Sequence, residues 1–253
     1  MSQKVLVTGA GSGIGLEIAR AFSSAGATVF ITDINEQALA EARKEMPRLL
    51  TGVCDNSKRS DVETMVPAAV KALGGLDVLV NNAGIGGPTA PVEAVDPDAW
   101  DTVIAINVSG TFHVTRLAIP HLKQSAAGSI IIMSSLGGRF GYPNRSPYCV
   151  SKWGLIGFAK TLAIELGGDK IRANAIAPGA VGGQRIENVL AGRAKAAGTS
   201  LDEARASMLA IQSLKQFVDP KDIAALCVYL ASDEGKSISG QVIPIDNDAH
   251  QAS

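Results

Sequence analysis

Seven short apolar runs, most of them separated by stretches long enough for a helix, constrain this chain more than any other feature. They are "KVLVT" (Lys4–Thr8), "TVFIT" (Thr28–Thr32), "LLTGVC" (Leu49–Cys54), "LDVLVN" (Leu76–Asn81), "SIIIMS" (Ser129–Ser134), "IRANAIA" (Ile171–Ala177) and "QVIPID" (Gln241–Asp246). Most carry apolar residues on both faces, as strands do when buried between two layers of helices. Amphipathic segments lie between them, among them Ile14–Ala25, Glu36–Met46, Val62–Leu73, Trp100–Leu122 and Tyr148–Leu166. The alternation predicts an α/β fold: a doubly wound, seven-stranded parallel sheet flanked by helices and joined by right-handed crossovers. "DPDAW" (Asp96–Trp100) and "DPKDI" (Asp219–Ile223) each place Asp before Pro, a cap followed by a first-turn residue. With no internal repeat or linker, residues 1–253 read as one domain. Gly182–Gln216 breaks the rhythm; it is rich in Ala, reads as helical, and stands where insertions act as lids or binding loops.

The bulk properties exclude several classes. A chain of 253 residues can bury roughly three quarters of the surface its unfolded form exposes. A composition 46% hydrophobic and 19% charged argues against disorder. The net charge of -1 supplies no basic field for nucleic acid. Cys54, Cys149 and Cys227 have no metal-site spacing and read as free thiols in a reducing compartment. His113, His121 and His250 have no ligand spacing either, so no metal is expected. No signal peptide and no apolar run of bilayer length is visible. The expectation is a cytoplasmic protein with no membrane partner.

Chemistry begins after the first strand. "TGAGSGIG" (Thr8–Gly15) joins that strand to the first helix. Gly9, Gly13 and Gly15 allow a tight turn and close approach to a pyrophosphate, and the helix N-terminus adds free N–H groups and its positive dipole end. The spacing is a variant of the dinucleotide fingerprint. Asp33 ends the second strand 18 positions beyond Gly15, close to where an acid accepts from the adenosine ribose hydroxyls. It would repel the 2′-phosphate of NADP, and the next residue, Ile34, offers no compensating cation. NAD is therefore the expected cofactor.

"YCVSK" places Tyr148 and Lys152 four residues apart, on one face of a helix. A tyrosine at a buried helix start with a lysine reaching solvent has the same spacing as an acid–base pair. The rest of the chain weighs on the choice. "TGAGSGIG", "CDNS" (Cys54–Ser57), "NNAG" (Asn81–Gly84), Asn107 in "IAINVSG", "SS" (Ser134–Ser135), "YCVSK" and "APGAV" (Ala177–Val181) occur in order. On the strength of these seven elements the chain resembles, from Thr8 to Asp246, the short-chain dehydrogenase/reductase family.

That resemblance implies a Rossmann-type fold and a set of roles. Tyr148 is the expected acid/base, Lys152 its activating partner and a ligand of the nicotinamide ribose, and Asn107 a support for a proton relay. Ser135, thirteen positions before Tyr148, is the expected substrate-binding serine rather than Ser134. Cofactor contacts are expected at Gly9, Ser12, Gly13, Ile14, Gly15, Asp33, Ile34, Asp55, Asn56, Asn82, Ala83 and Gly84. Further contacts are expected at Tyr148, Lys152, Pro178, Gly179 and Val181. A free phenol titrates near pH 10, so a phenolate at neutral pH needs about 4 kcal/mol of stabilisation, which nearby positive charge can supply.

The substrate side is less defined. Arg139, Tyr142, Asn144, Arg145, Gln184 and Arg185 fall in the regions expected to line the pocket. Three arginines there suit an acidic or sulfonated sugar or a hydroxy acid, although each taken singly can be a surface arginine. Two departures from the family pattern stand out. Gly183 occupies a position where relatives often carry Thr, and "IDNDAH" replaces a glycine pair after Asp246. The implied activity is NAD(H)-dependent interconversion of a secondary alcohol and its carbonyl or lactone. An NADPH-dependent 3-oxoacyl reductase and a non-catalytic NAD-binding sensor are the alternatives. The resemblance also implies a homotetramer through Trp100–Leu122, Tyr148–Leu166 and the C-terminal segment.

Overall fold

A computed structural model describes residues 2–250, with the side chains of Arg185, Arg193 and Ala196 outside the described set. Its strands are β1 (Lys4–Val7), β2 (Thr28–Asp33), β3 (Leu50–Val53), β4 (Val78–Asn81), β5 (Ser129–Met133), β6 (Arg172–Pro178) and β7 (Val242–Ile245). They form one parallel sheet in the order β3-β2-β1-β4-β5-β6-β7. The strand order reverses between β1 and β4, the crevice where ligands bind in open sheets of this kind.

Nine α-helices surround the sheet among the described residues: α1 (Gly13–Ser24), α2 (Glu36–Glu45), α3 (Arg59–Leu73), α4 (Pro97–Ile104), α5 (Thr111–Leu122), α6 (Ser146–Leu166), α7 (Gln184–Ala197), α8 (Leu201–Ala210) and α9 (Pro220–Ala231). Alternating strand residues divide the core in two. Leu6, Leu79, Ile130 and Ile132 join Val66, Val114, Leu155 and Leu162 of α3, α5 and α6. Val5, Val7, Ile131 and Met133 join Ile18, Phe22, Ile223 and Leu230 of α1 and α9. The period-two alternation of side chains thus supplies both helix layers from the same strands. Asp96 and Asp219 cap α4 and α9, accepting from the Asp98 and Lys221 N–H groups at 3.2 and 2.9 Å.

One expectation needs correction. Pro97–Leu122 is a 26-residue helix with a window of mean hydropathy 1.2, long and apolar enough by composition to cross a bilayer. It instead packs on α3 and α6, and Val103, Val114, Ala118 and Leu122 are fully buried. Its middle is a π-helical turn, Ala105–Gly110, that joins α4 to α5 and carries Asn107. Such turns recur at functional sites because they re-aim one side chain within a continuous helix. Cys54, Cys149 and Cys227 are free and buried, and burial, with Asp61 and Asp55 nearby, pushes the Cys54 thiol up to about 11.

The Gly182–Gln216 insertion folds as two helices with a small core of Leu190, Ala194, Ala204 and Met208. Gly198, at φ 66, ends α7, and a Ser200–Glu203 capping box starts α8. Arg205 clamps Glu187 through both carboxylate oxygens, at 2.9 and 2.8 Å. The C-terminal "IDNDAH" segment holds this unit down. Ser213 and Leu214 donate backbone N–H groups to the Asn247 carbonyl, at 3.1 and 3.2 Å, and His250 donates to Ile211 at 2.8 Å. Asn247 and Asp248 adopt φ 57 and 55, a region that Asn and Asp tolerate better than other side chains.

Gly183, the residue before α7, has φ 125 and ψ 178, a conformation essentially confined to glycine. Glycine therefore suits this position, where the family resemblance leads one to expect threonine. Gly183→Thr is expected to lower stability by about 1–3 kcal/mol. Differential scanning fluorimetry would show this as a Tm drop of several degrees, and an unchanged Tm would mean that the turn readjusts freely.

Candidate active site

The end of β1 and the end of β4 build the first part of the site together. Thr8 Oγ1 accepts from the backbone N–H groups of Asn82 and Ala83, both at 3.1 Å. Asn82 Nδ2 donates back to the Thr8 and Gly9 carbonyls, at 3.1 and 2.7 Å. The two loops lie so close that a Cβ on Gly9, at φ +59, would stand 2.6 Å from Ala83 Cα. Beyond this seam the glycine loop opens outward. Ser12 and Gly13 are exposed, and a Cβ on Gly13 would meet nothing within 4 Å. Ser12 makes no side-chain cap and the first turn of α1 carries no acid, which leaves the positive helix end to an anion. Ser12 and Gly13 therefore leave room for a pyrophosphate at the start of α1, beside Ile14, while Gly9 and Gly15 pack on the loop after β4.

Asp33 braces this loop. Its Oδ2 accepts from Gly11 N–H at 2.9 Å and its Oδ1 from Asn35 N–H at 3.0 Å. Ile34 beside it is 66% exposed, an apolar surface at the mouth of the groove. Asp55 accepts from the Ser57 hydroxyl at 2.6 Å and the Ser57 N–H at 2.9 Å. The Ser57 bonds, aided by Lys58, hold its carboxyl below the usual range. Asn56 is buried at the foot of the π turn, its carbonyl 2.5 Å from where a Cβ on Gly110 would lie. On the opposite strand, Gly179 N–H donates to Ile245 O at 3.0 Å, and Val181 forms a bridge with Val218. Pro178 and Gly179 are thus held by the end of β7 and Val181 by Val218.

The polar groups of α6 converge on the same crevice. Lys152 does not reach solvent: the residue is 5% exposed, and its Nζ donates to the Met133 carbonyl at 2.8 Å and lies 5.8 Å from the Tyr148 ring centroid. A Cβ on Gly84 would lie 3.4 Å from that Nζ and 3.1 Å from Asn107 Oδ1. Asn107, fully buried, grips Ile85 through its N–H at 2.8 Å and its carbonyl at 3.0 Å. Asn107 Nδ2 also donates to Ser151 Oγ at 3.0 Å, and Ser151 Oγ donates to the Tyr148 carbonyl at 2.7 Å.

The two adjacent serines differ in their surroundings. Ser134 is buried and its hydroxyl donates to the Lys152 carbonyl at 2.8 Å. Ser135 is half-buried, and its Oγ accepts from Gly137 N–H at 3.1 Å. Gly137 in turn packs on the acid/base candidate: a Cβ there would stand 3.0 Å from Tyr148 Cε1. Sequence reading did not single out Thr8, Gly137 or Ser151. Thr8 and Ser151 stand inside motifs already recognised, whereas the contact of Gly137 with Tyr148 has no sequence signature.

Of the three expected substrate-facing arginines, the two whose side chains are described do not form one set of cations. Arg139 turns to the end of β7, where its Nη1 pairs at 2.8 Å with Asp246, a carboxylate 7% exposed that requires a partner. Its charge is thereby neutralised within the protein. Arg145 donates to the Gly86 carbonyl at 2.8 Å and to Thr89 Oγ1 at 3.0 Å. Gln184 donates along α7 to Asn188 at 3.1 Å, and the Arg185 side chain lies outside the described residues. Tyr142 lies near Gly137, its Cδ2 3.6 Å from where a Cβ there would be. Asn144 adopts φ 62 and its carbonyl accepts from Ala90 N–H at 3.0 Å. No cluster of three or more metal-ligating side chains occurs among the described residues.

This geometry agrees with comparisons to known proteins. A family model described as enoyl-(acyl carrier protein) reductase matches residues 9–250. The chain is 36% identical over 248 residues to a D-beta-hydroxybutyrate dehydrogenase of Cupriavidus necator, covering 95% of each chain. It is 37% identical over 245 residues to the 3-oxoacyl-(acyl-carrier-protein) reductase FabG of Thermotoga maritima, again covering 95% of each. Among solved structures, an actinorhodin polyketide ketoreductase with NADPH superposes with TM-score 0.93 at 31% identity, covering 97% of this chain and 96% of that one. An NAD+-bound xylitol dehydrogenase superposes with TM-score 0.90 at 30% identity, covering 96% and 97%. Matched along nearly its whole length in sequence and fold, the chain belongs to the short-chain dehydrogenase/reductase family, whose fold implies a nicotinamide cofactor, and is an oxidoreductase acting on CH–OH groups.

Proposed function

We propose that the chain is one catalytic unit that interconverts a secondary alcohol and its ketone with NAD(H), using Tyr148 as acid/base. The observation that carries this reading is the buried Lys152 ammonium, held 5.8 Å from the Tyr148 ring centroid in a crevice that also contains Ser135 and Asn107. A buried ammonium is costly to keep without a task, and a positive charge near a phenol favours its ionised form. In the oxidative direction Tyr148 Oη takes the hydroxyl proton of the alcohol. Ser135 Oγ, which receives the Gly137 N–H, donates its own proton to the substrate oxygen and holds it as the carbonyl forms. Lys152 supports the phenolate. Asn107 fixes the Ile85 loop beside them. A bound nicotinamide supplies the hydride acceptor.

Tyr148→Phe keeps the ring and its packing but removes the proton carrier. Turnover should fall by about a hundred- to ten-thousandfold, while NADH binding, read by nucleotide fluorescence, stays near wild type. A variant that still turns over at the wild-type rate would refute Tyr148 as acid/base. A panel of secondary alcohols, hydroxy acids and acidic sugars with NAD+, read as NADH absorbance, names the substrate class.

NAD rather than NADP rests on Asp33, because the solved relatives include one with NADPH and one bound to NAD+. Its carboxylate would face a 2′-phosphate with no arginine or lysine following at Ile34. Two like charges about 4 Å apart near a surface cost up to about 4 kcal/mol, so a preference for NAD of at least roughly a hundredfold in kcat/KM is expected. Asp33→Ser should erode it chiefly by improving NADP use. Preference for NADPH in the wild type would instead favour the second reading, a 3-oxoacyl reductase, which the similarity to the Thermotoga maritima enzyme supports.

A cytoplasmic homotetramer that binds neither nucleic acid nor membrane completes the proposal. Exposed apolar side chains on α5 and α6 support the assembly: Phe112 is 45%, Val150 50%, Trp153 52% and Ile164 84% exposed. Such a surface suits a second copy of the chain. Light scattering after size exclusion should return four times the 26.1 kDa chain mass, and a monomer would remove this part of the proposal.

A further inference from the structure

The loop after β4 is gripped at both ends. At its start Asn107 holds the Ile85 N–H and carbonyl, at 2.8 and 3.0 Å. Further along, Arg145 reaches back with two different nitrogens, Nη2 to Gly86 O at 2.8 Å and Nη1 to Thr89 Oγ1 at 3.0 Å. Ala90 N–H donates to the Asn144 carbonyl at 3.0 Å. Arg145 is also the residue that opens α6, and it contributes no side-chain cap there. Its guanidinium carbon lies 5.2 Å from the Tyr148 ring centroid, and its carbonyl accepts from Cys149 N–H at 2.9 Å. One residue thus touches the loop, the first turn of α6 and the ring of Tyr148.

We propose that Arg145 is a positioning residue: by tying the Gly86–Thr89 loop to the start of α6, it holds the Tyr148 phenol in its reacting geometry, and this is its role instead of binding a substrate anion. The planar fork is suited to this task, because its nitrogens address two acceptors in fixed relative directions. A lysine offers a point charge on a flexible stem and cannot fix both at once. The Tyr148 ring also packs on Gly137. Gly137 lies against it closely enough that a Cβ would stand 3.0 Å from Cε1 and 3.2 Å from Cδ1. Loss of the fork would remove the guanidinium that stands 5.2 Å from the ring centroid and untie the start of α6 from the loop. Asn107, Ile85, Gly86 and Arg145 then form one continuous brace from the π turn to the phenol. The inference rests on Tyr148 acting as acid/base.

The experiment compares Arg145→Gln, Arg145→Lys and Thr89→Val in the full chain, each checked for folding by its Tm. Hydrogen exchange of the Gly84–Ala90 peptide reads the clamp without any substrate. Steady-state kinetics with the best neutral alcohol and the best anionic alcohol of the panel read its consequence. Displacing a reacting group by about 1 Å can cost on the order of a hundredfold, so Arg145→Gln should lose at least about tenfold in kcat on both alcohols. KM and NADH affinity should stay within about threefold, and exchange of the loop should accelerate. Arg145→Lys should fail to restore kcat, because the ammonium lacks the fork. Thr89→Val, which keeps the charge and removes one acceptor, should show a smaller kcat loss and partial loop exposure. If Arg145→Gln fails to fold, Thr89→Val carries the test alone. Unchanged loop exchange overturns the proposal, as does a rise in KM confined to the anionic alcohol. Absence of turnover by the wild type refutes the dehydrogenase reading while the exchange result still decides the clamp.

Discussion

Four hydrogen bonds between the ends of β1 and β4 hold the rest of the site in place. Thr8 and Asn82 are 74 residues apart, yet each satisfies backbone groups of the other's loop. The sheet order puts these strands side by side and leaves a crevice at their carboxyl ends. Backbone groups at strand ends have no ladder partner, and leaving them buried and unpaired is costly. Their mutual satisfaction fixes the glycine turn against the loop after β4. That loop passes to Ile85, where Asn107 takes hold, and onward to the residues gripped by Arg145. Displacing the seam would shift the pyrophosphate cradle and the Tyr148 crevice relative to each other.

The same economy of polar groups explains the other end of the molecule. The α7–α8 insertion has a small core of its own, four buried residues, and needs external anchors. The "IDNDAH" segment provides them through backbone bonds to Ile211, Ser213 and Leu214. In sequence this segment stood out only as a departure from the glycine pair that follows Asp246 in relatives. In the structure Asn247 and Asp248 stand at left-handed φ, where a glycine pair would be equally at home. The side chains add bonds that glycine could not, Asn247 Nδ2 to Gln216 O at 2.7 Å among them. The departure therefore changes how the insertion is moored.

Much of the site was legible because its residues sit in local patterns. Gly9, Gly13 and Asp33 are tied to a strand–turn–helix unit that can be recognised without tertiary information. Tyr148 and Lys152 share a helix face by spacing alone. The bland reading of Lys152 as a lysine reaching solvent is excluded by its burial. The arginines were not legible in the same way. Arg139 and Arg145 looked alike in sequence, both between Ser135 and Tyr148. One neutralises Asp246 and the other clamps a loop 56 residues away. A guanidinium goes to whichever acceptor the fold leaves within reach of its long side chain, and no local pattern encodes that choice.

By itself, then, the sequence determined the alternation of strands and helices, the parallel sheet and the order of the motifs along the chain. Those follow from hydrophobic periodicity and from the few residues able to make tight turns, which are short-range properties. Only the tertiary structure decided that Gly137 lies against Tyr148. It also decided that a π turn aims Asn107 at Ile85 and that the C-terminus anchors the insertion. These depend on groups distant in sequence meeting at hydrogen-bonding or van der Waals distance. Packing and the demand that buried polar groups find partners select those meetings once the sheet has formed.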